Sequence, residues 1–222
     1  MRLLLLRHGQ TQSNVIGALD TAIPGAPLNA LGLRQAAAVP GALAGQEIDG
    51  ISASTILRAQ QTAAPLATER ALTVEVRDGL REIEAGELEM LSDPTSQGIY
   101  TATAFAWAKG DLQLRMPGGE TGLQFFERFD GAIADILAEG DPTVVAVSHG
   151  AAIRTWVAAR CENTEGSFAG SHQLDNTGVA ILEGDEVRRW RLIDWRSEPL
   201  GGTHLADARA VDPTGEALAK QS

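Results

Sequence analysis

The sequence predicts an α/β protein, a three-layer α/β/α sandwich around a mostly parallel central sheet. Two observations carry this. Short aliphatic or β-branched runs alternate along the chain with longer segments of helical periodicity, the order that builds strand–helix–strand crossovers. Two of those runs, Leu3–Leu6 and Thr143–Val147, are apolar at nearly every position, as strands covered on both faces are.

Taken in order, Arg2–Leu6 reads as a buried strand leading into Arg7-His8-Gly9. Asn29 is placed to cap a helix from Ala30 to about Leu43, with Leu31, Gln35, Ala38 and Ala42 at helical spacing and Pro40 expected to kink or end it. A strand over Asp49–Ser54, a helix over Thr55–Thr68 and an alternating strand over Leu72–Val76 follow. A helix from about Thr95 to Lys109 is next, then a turn at Met116-Pro-Gly-Gly. Gly122–Ala138 is periodic through Leu123, Phe126, Phe129, Ile133, Ile136 and Leu137. After the strand Thr143–Val147, a helix spans Ala151–Arg160, and Gly178–Leu182 with Val187–Ile193 reads as a hairpin turning at Gly184-Asp185. Periodicity stops near Glu198. The expected organisation is one domain over 1–197 and a loosely held tail over 198–222.

Composition narrows the function classes. The chain has 222 residues, 44% of them hydrophobic, enough for one sizeable core. One cysteine, Cys161, excludes an intramolecular disulfide framework. Leu3–Leu6 is too short for a signal-peptide core, no run is long enough to span a membrane, and a cytoplasmic protein is expected. The net charge of −11 argues against nucleic-acid and membrane partners. An anionic substrate therefore needs a local cluster of arginines. The sequence leaves open a homodimer.

In sheets of this kind, ligands sit where strands end and helices begin. Two predicted strands end in His-Gly, at His8-Gly9 and His149-Gly150; another ends near Ser54 and reaches Arg58; a turn after the strand Leu72–Val76 carries Glu82. In a parallel sheet these ends bring together two imidazoles, the guanidiniums of Arg7 and Arg58, and one carboxylate. Gly9 and Gly150 would let the backbone turn and approach a ligand, and a helix start with Thr11, Ser13 and Asn14 would supply an anion site. His172 and His204 read as structural. With histidines only at 8, 149, 172 and 204, no ligand spacing for a metal is present, and no cofactor is expected.

These residues resemble a known family. Arg7-His8-Gly9-Gln10-Thr11-Gln12-Ser13-Asn14 resembles the R-H-G-x-T-x-x-N signature of the histidine phosphatase superfamily, the phosphoglycerate mutase-like proteins. Pro27–Ala36 is similar to P-L-T-x-x-G-x-x-Q-A, with Asn29 in place of threonine, and Ser54–Ala63 to S-x-x-x-R-A-x-Q-T-A. Leu80–Gly86 resembles L-x-E-x-x-x-G, Pro117–Thr121 resembles P-G-G-E-S, and Ser148–Arg154 resembles S-H-G-x-x-I-R. The resemblance covers about residues 1–195. It implies the phosphoglycerate mutase-like fold, with His8 as the nucleophile that becomes phosphohistidine. It implies Arg7, Arg58 and His149 as ligands of the phosphoryl oxygens, with Asn14 assisting and Gln10 and Thr11 beside them, and Glu82 as proton donor and later base.

The departures narrow the chemistry. Gly86-Glu87-Leu88-Glu89-Met90 stands where relatives often read G-x-W-E-G. Family mutases carry a basic pair after the acid, whereas Met90–Leu114 contains only Lys109. This favours a metal-independent phosphomonoesterase acting on a small phosphorylated metabolite. A cofactor-dependent phosphoglycerate mutase and a non-catalytic phosphate-binding protein are the alternatives. Ile99, Tyr100, Phe105 and Trp107 are candidates either for a specificity wall or for core packing.

Overall fold

The computed structural model describes residues 1–184 and 190–217. The strands are β1 (Arg2–Arg7), β2 (Gly50–Ser54), β3 (Val74–Arg77), β4 (Thr143–Ser148), β5 (Val179–Glu183) and β6 (Arg191–Arg196). The helices are α1 (Gln12–Ile16), α2 (Ala30–Ala42), α3 (Leu57–Arg70), α4 (Pro94–Ala108), α5 (Gly122–Glu139), α6 (Gly150–Arg160) and α7 (Phe168–Ser171). The strands form one sheet in the order β3-β2-β4-β1-β5-β6; the first four are mutually parallel, and β5 and β6 add an antiparallel edge.

Because side chains alternate along a strand, β1 and β4 feed two cores. Leu3, Leu5, Val144 and Ala146 pack with Phe125, Phe129, Trp156 and the rest of the α4–α6 layer. Leu4, Leu6, Val145 and Val147 pack with Val39, Ala59, Ala63 and Leu66 of α2 and α3. The expected sandwich is what forms. Its parallel strands all end on one edge, and that edge carries the candidate residues.

Local chemistry explains most boundaries. Asn29 caps α2 by accepting from Gly32 N at 2.9 Å. Thr121 and Gln124 form a reciprocal capping box on α5. Pro40 does not end α2, which runs on to Ala42; in the last turn a proline removes only one backbone bond before the helix closes. The described part of the outer hairpin strand is Arg191–Arg196; the expected start at Val187 and the turn after Gly184 lie outside the described residues.

The segment after Glu198 also differs from expectation. Leu200 and Leu205 are buried, Leu200 within the α2–α3 core, and Gln35 donates to the Leu205 carbonyl at 2.9 Å. Two anchors so far apart give no periodicity to read, yet they hold the chain against the body. From there it crosses the strand-end edge, where Asp212 is buried.

Candidate active site

His8 and His149 follow directly on β1 and β4, which pair in parallel with Arg7 opposite Ser148. Their rings lie 5.1 Å apart between centroids, and both side chains are buried. Register alone sets this proximity.

The His8 ring is oriented by two bonds. Its Nδ1 lies 2.7 Å from the Gly9 carbonyl, an acceptor only, so Nδ1 carries the proton. Nε2 then holds the lone pair, and it accepts from Arg58 Nε at 3.1 Å. Arg58 also donates through one terminal nitrogen to the Asp20 carbonyl at 2.6 Å, while its other terminal nitrogen has no hydrogen-bond partner among the described residues. Burial, then the positive charges of Arg58 and Arg7, hold the His8 ring well below the usual imidazole range. Burial and Arg58 do the same to His149. Both rings are neutral near pH 7.

His149 Nε2 lies 2.8 Å from Ser54 Oγ at the end of β2. Ser54 Oγ already accepts from Ile56 N at 3.2 Å, which leaves its own proton to donate. His149 Nδ1 is buried without a partner among the described residues.

Glu82 reaches the same edge from the loop after β3. Its Oε1 accepts from Ile83 N at 2.9 Å and Ala152 N at 2.8 Å, and its Oε2 from Ala151 N at 3.1 Å. Burial pushes this carboxyl up; the three N–H groups and Arg58 pull against it without cancelling it. The loop is clamped by Arg128, which donates to the carbonyls of Gly79, Arg81 and Glu82, each at 2.9 Å. Arg128 in turn pairs with Glu120 at 2.6 Å.

His8, Thr11, Asn14, Arg58 and Glu82 line one small cavity together with Asp212, Pro213 and Thr214. Several expectations need correction here. Gln10 lies outside this cavity: its amide bonds Asp207 and Asn29, and it lines a separate space of about 470 Å³. Thr11 and Asn14 cap α1 through each other, so the start of this one-turn helix offers no ready anion site. Gly9 and Gly150 have no left-handed backbone; a Cβ on Gly9 would lie 2.7 Å from the Gly32 carbonyl, so close packing of two loops explains that glycine. Tyr100, Phe105 and Trp107 belong to the core, and Ile99 is half exposed on α4, so these residues build no wall of the cavity. Arg7 is fully buried behind the cavity and donates to the Leu174 carbonyl at 2.6 Å and to Asp212 at 2.5 Å, not into open space.

The residues missed in the sequence are Asp212, Thr214, Arg128 and the serine role of Ser54. Ser54 and Glu120 stand inside the quoted motifs; Asp212 and Thr214 stand in a segment with no pattern.

Residues 3–198 match the model of the histidine phosphatase superfamily (branch 1). The chain belongs to this superfamily. Among its relatives, a PE-PGRS family protein of Mycobacterium tuberculosis is 34% identical over 93% of this chain, which spans 38% of that protein's length. A glucosyl-3-phosphoglycerate phosphatase of M. tuberculosis is 30% identical over 88% of this chain and 94% of its own. A solved mycobacterial glucosyl-3-phosphoglycerate phosphatase in complex with VO3 superposes with a TM-score of 0.74 at 29% identity, covering 89% of this chain and 99% of that one. The solved phosphatase shares the α/β fold seen here.

Proposed function

We propose that this histidine phosphatase hydrolyses a small phosphorylated metabolite in two steps through a phosphohistidine on His8. The observation that carries the reading is the state of the His8 ring: neutral, with the proton fixed on Nδ1 by Gly9 and the lone pair on Nε2 turned to Arg58.

In the first step the arriving phosphoryl oxygens take over the Arg58 N–H from His8, which frees the Nε2 lone pair to attack phosphorus, and the ester oxygen leaves with the proton of Glu82, whose carboxyl burial pushes up. The phosphoryl group in transit carries its charge on three equatorial oxygens. Arg58 takes part of that charge through the terminal nitrogen that makes no hydrogen bond among the described residues and lies 3.8 Å from an Asp20 carboxylate oxygen. Ser54, donating to His149 Nε2, places that ring's proton on Nδ1, where it can donate to a second oxygen. In the second step Glu82, now a carboxylate, takes a proton from water, which attacks the phosphohistidine and releases inorganic phosphate. The positive charge is supplied by guanidinium and a further donor by the neutral His149 ring, so no step calls for a metal.

The mutase reading has less support. The only base between Met90 and Leu114 is Lys109, which sits exposed at the C-terminus of α4, away from the cavity. Release of phosphate from p-nitrophenyl phosphate in the presence of EDTA, and from a panel of phosphorylated sugars and phosphoglycerates, tests the proposal. Turnover lost on His8→Ala and unaffected by EDTA supports it; undiminished turnover by His8→Ala overturns it.

A further inference from the structure

We propose that residues 212–214 are an autoinhibitory strap in which the Asp212 carboxylate holds the place of a substrate's phosphoryl oxygens on Arg7 and Asn14. The inference rests on the pocket described above being the phosphoryl site.

Asp212 Oδ2 accepts from an Arg7 terminal nitrogen at 2.5 Å, and Oδ1 accepts from Asn14 Nδ2 at 3.4 Å. Thr214 completes the set: its Oγ1 donates to Asp212 Oδ1 at 3.1 Å and accepts from Arg7 at 3.0 Å. A carboxylate thus meets two groups that the family signature assigns to the phosphoryl oxygens. A planar anion with two acceptor oxygens is what a guanidinium grips best, and a phosphoester offers the same chemistry with more charge.

With the strap in place the cavity beside His8 holds about 20 Å³. That is room for one water molecule and not for a phosphoryl group. Asp212, Pro213 and Thr214 form one wall of that cavity, so withdrawing 212–214 would open it and free Arg7 and Asn14 together.

The strap is held by polar contacts, the buried Arg7–Asp212 pair foremost. The Thr214 carbonyl accepts from Arg154 at 3.0 Å, and the Gly215 carbonyl accepts from Leu174 N at 2.8 Å. A Cβ at Gly150 would lie 2.5 Å from the Thr214 carbonyl, so this glycine makes room for the strap. From Ala206 to Ala217 only Asp212 and Gly215 are buried, and no large apolar side chain anchors the segment. Segments with few buried apolar contacts belong to the low-stability end of a fold, and the cost of opening this one lies in the Arg7–Asp212 pair, which a bound dianion would replace. A dianion that takes over Arg7 shifts the population to the open state, and its apparent affinity is lowered by whatever fraction is closed.

The test compares the full-length wild type with Asp212→Ala and Asp212→Asn. Binding of inorganic phosphate is measured by calorimetry and KM and kcat with p-nitrophenyl phosphate. A competing carboxylate predicts phosphate binding tightened at least about fivefold in both variants, with KM lowered in proportion. A carboxylate that only positions Arg7 predicts the opposite, weaker binding and a higher KM, and that result, or no change, overturns the strap. Hydrogen exchange on the wild type gives an independent reading that needs no variant. Saturating phosphate should speed exchange at the amides of Leu174, Gly215 and Glu216, and added protection there contradicts the proposal. If phosphate binds the wild type but the variants and the exchange do not respond, the strap alone fails. If phosphate binds none of the three proteins, the phosphoryl site itself fails with it.

Discussion

Arg58 Nε donates to His8 Nε2 across 3.1 Å, so a permanent cation sits on the nitrogen that carries the lone pair. The contact does two things. It helps keep the imidazole neutral, and it places a guanidinium where a phosphoryl group would arrive. Replacing Arg58 by Ala should lower kcat with p-nitrophenyl phosphate by roughly 10²–10³-fold, about 3–4 kcal/mol of transition-state stabilisation. Steady-state kinetics check this; a change in KM alone would mean that Arg58 only binds substrate.

The pH profile follows from the two shifted groups. His8 must be neutral, so activity falls with acid only as pH drops through its lowered value, below the usual imidazole range. Glu82 must be protonated for the first step, so activity falls as pH rises through its raised value, above the usual carboxylate range. With a substrate whose leaving group needs a proton, the profile is a bell whose acid limb lies below the usual imidazole range and whose alkaline limb is set by the raised Glu82 carboxyl. Glu82→Gln should lose the alkaline limb, and its rate loss should shrink for p-nitrophenyl phosphate, whose leaving group is stable as an anion. An unchanged alkaline limb would remove Glu82 from its role.

Stability should depend on pH through the same buried rings. Below about pH 6.5 the unfolded chain binds protons at His8 and His149 that the folded chain refuses, so stability falls as pH drops. Thermal melts from pH 7.5 to 5 should show a declining melting temperature, and His149→Phe should flatten the slope. A slope identical to that of the wild type would mean that the buried ring is not the titrating group.

Glu120 and Arg128 hold the loop that presents Glu82. Arg128→Ala leaves a buried carboxylate unpaired and three carbonyls without a donor, costing about 3–5 kcal/mol and roughly 10 °C in melting temperature. Calorimetry measures the first effect. A parallel fall in kcat would show that the clamp also positions the acid.

Ser54→Ala removes the hydroxyl that lies 2.8 Å from His149 Nε2 and that, in the proposed mechanism, donates to it and fixes its tautomer. Nitrogen-15 shifts of His149 should move from a single tautomer toward a mixture, with kcat reduced roughly tenfold. Retention of the wild-type tautomer would assign the orientation to something else.

The sheet and its site edge were legible because their cause is local. Runs such as Leu3–Leu6 and Thr143–Val147 need both faces covered, and strands so covered lie parallel and end together. His8 and His149 at those ends were legible by the same logic, while Ser54 was legible only as a strand end and not as the partner of His149. The partners that reach the site from afar were not. Asp212 meets Arg7 across 205 positions, a closure that no periodicity announces. The aromatic residues of α4 were ambiguous because a helix over a sheet and a pocket wall demand the same side chains; burial of Tyr100 and Trp107 decides for the core.

The most direct measurement is acid-free quenching of the enzyme during turnover of a radiolabelled phosphoester, followed by peptide mapping of the label. The account predicts an acid-labile, alkali-stable phosphoryl group on His8, absent in His8→Asn. Label on any other residue, or normal turnover with none at all, would contradict it.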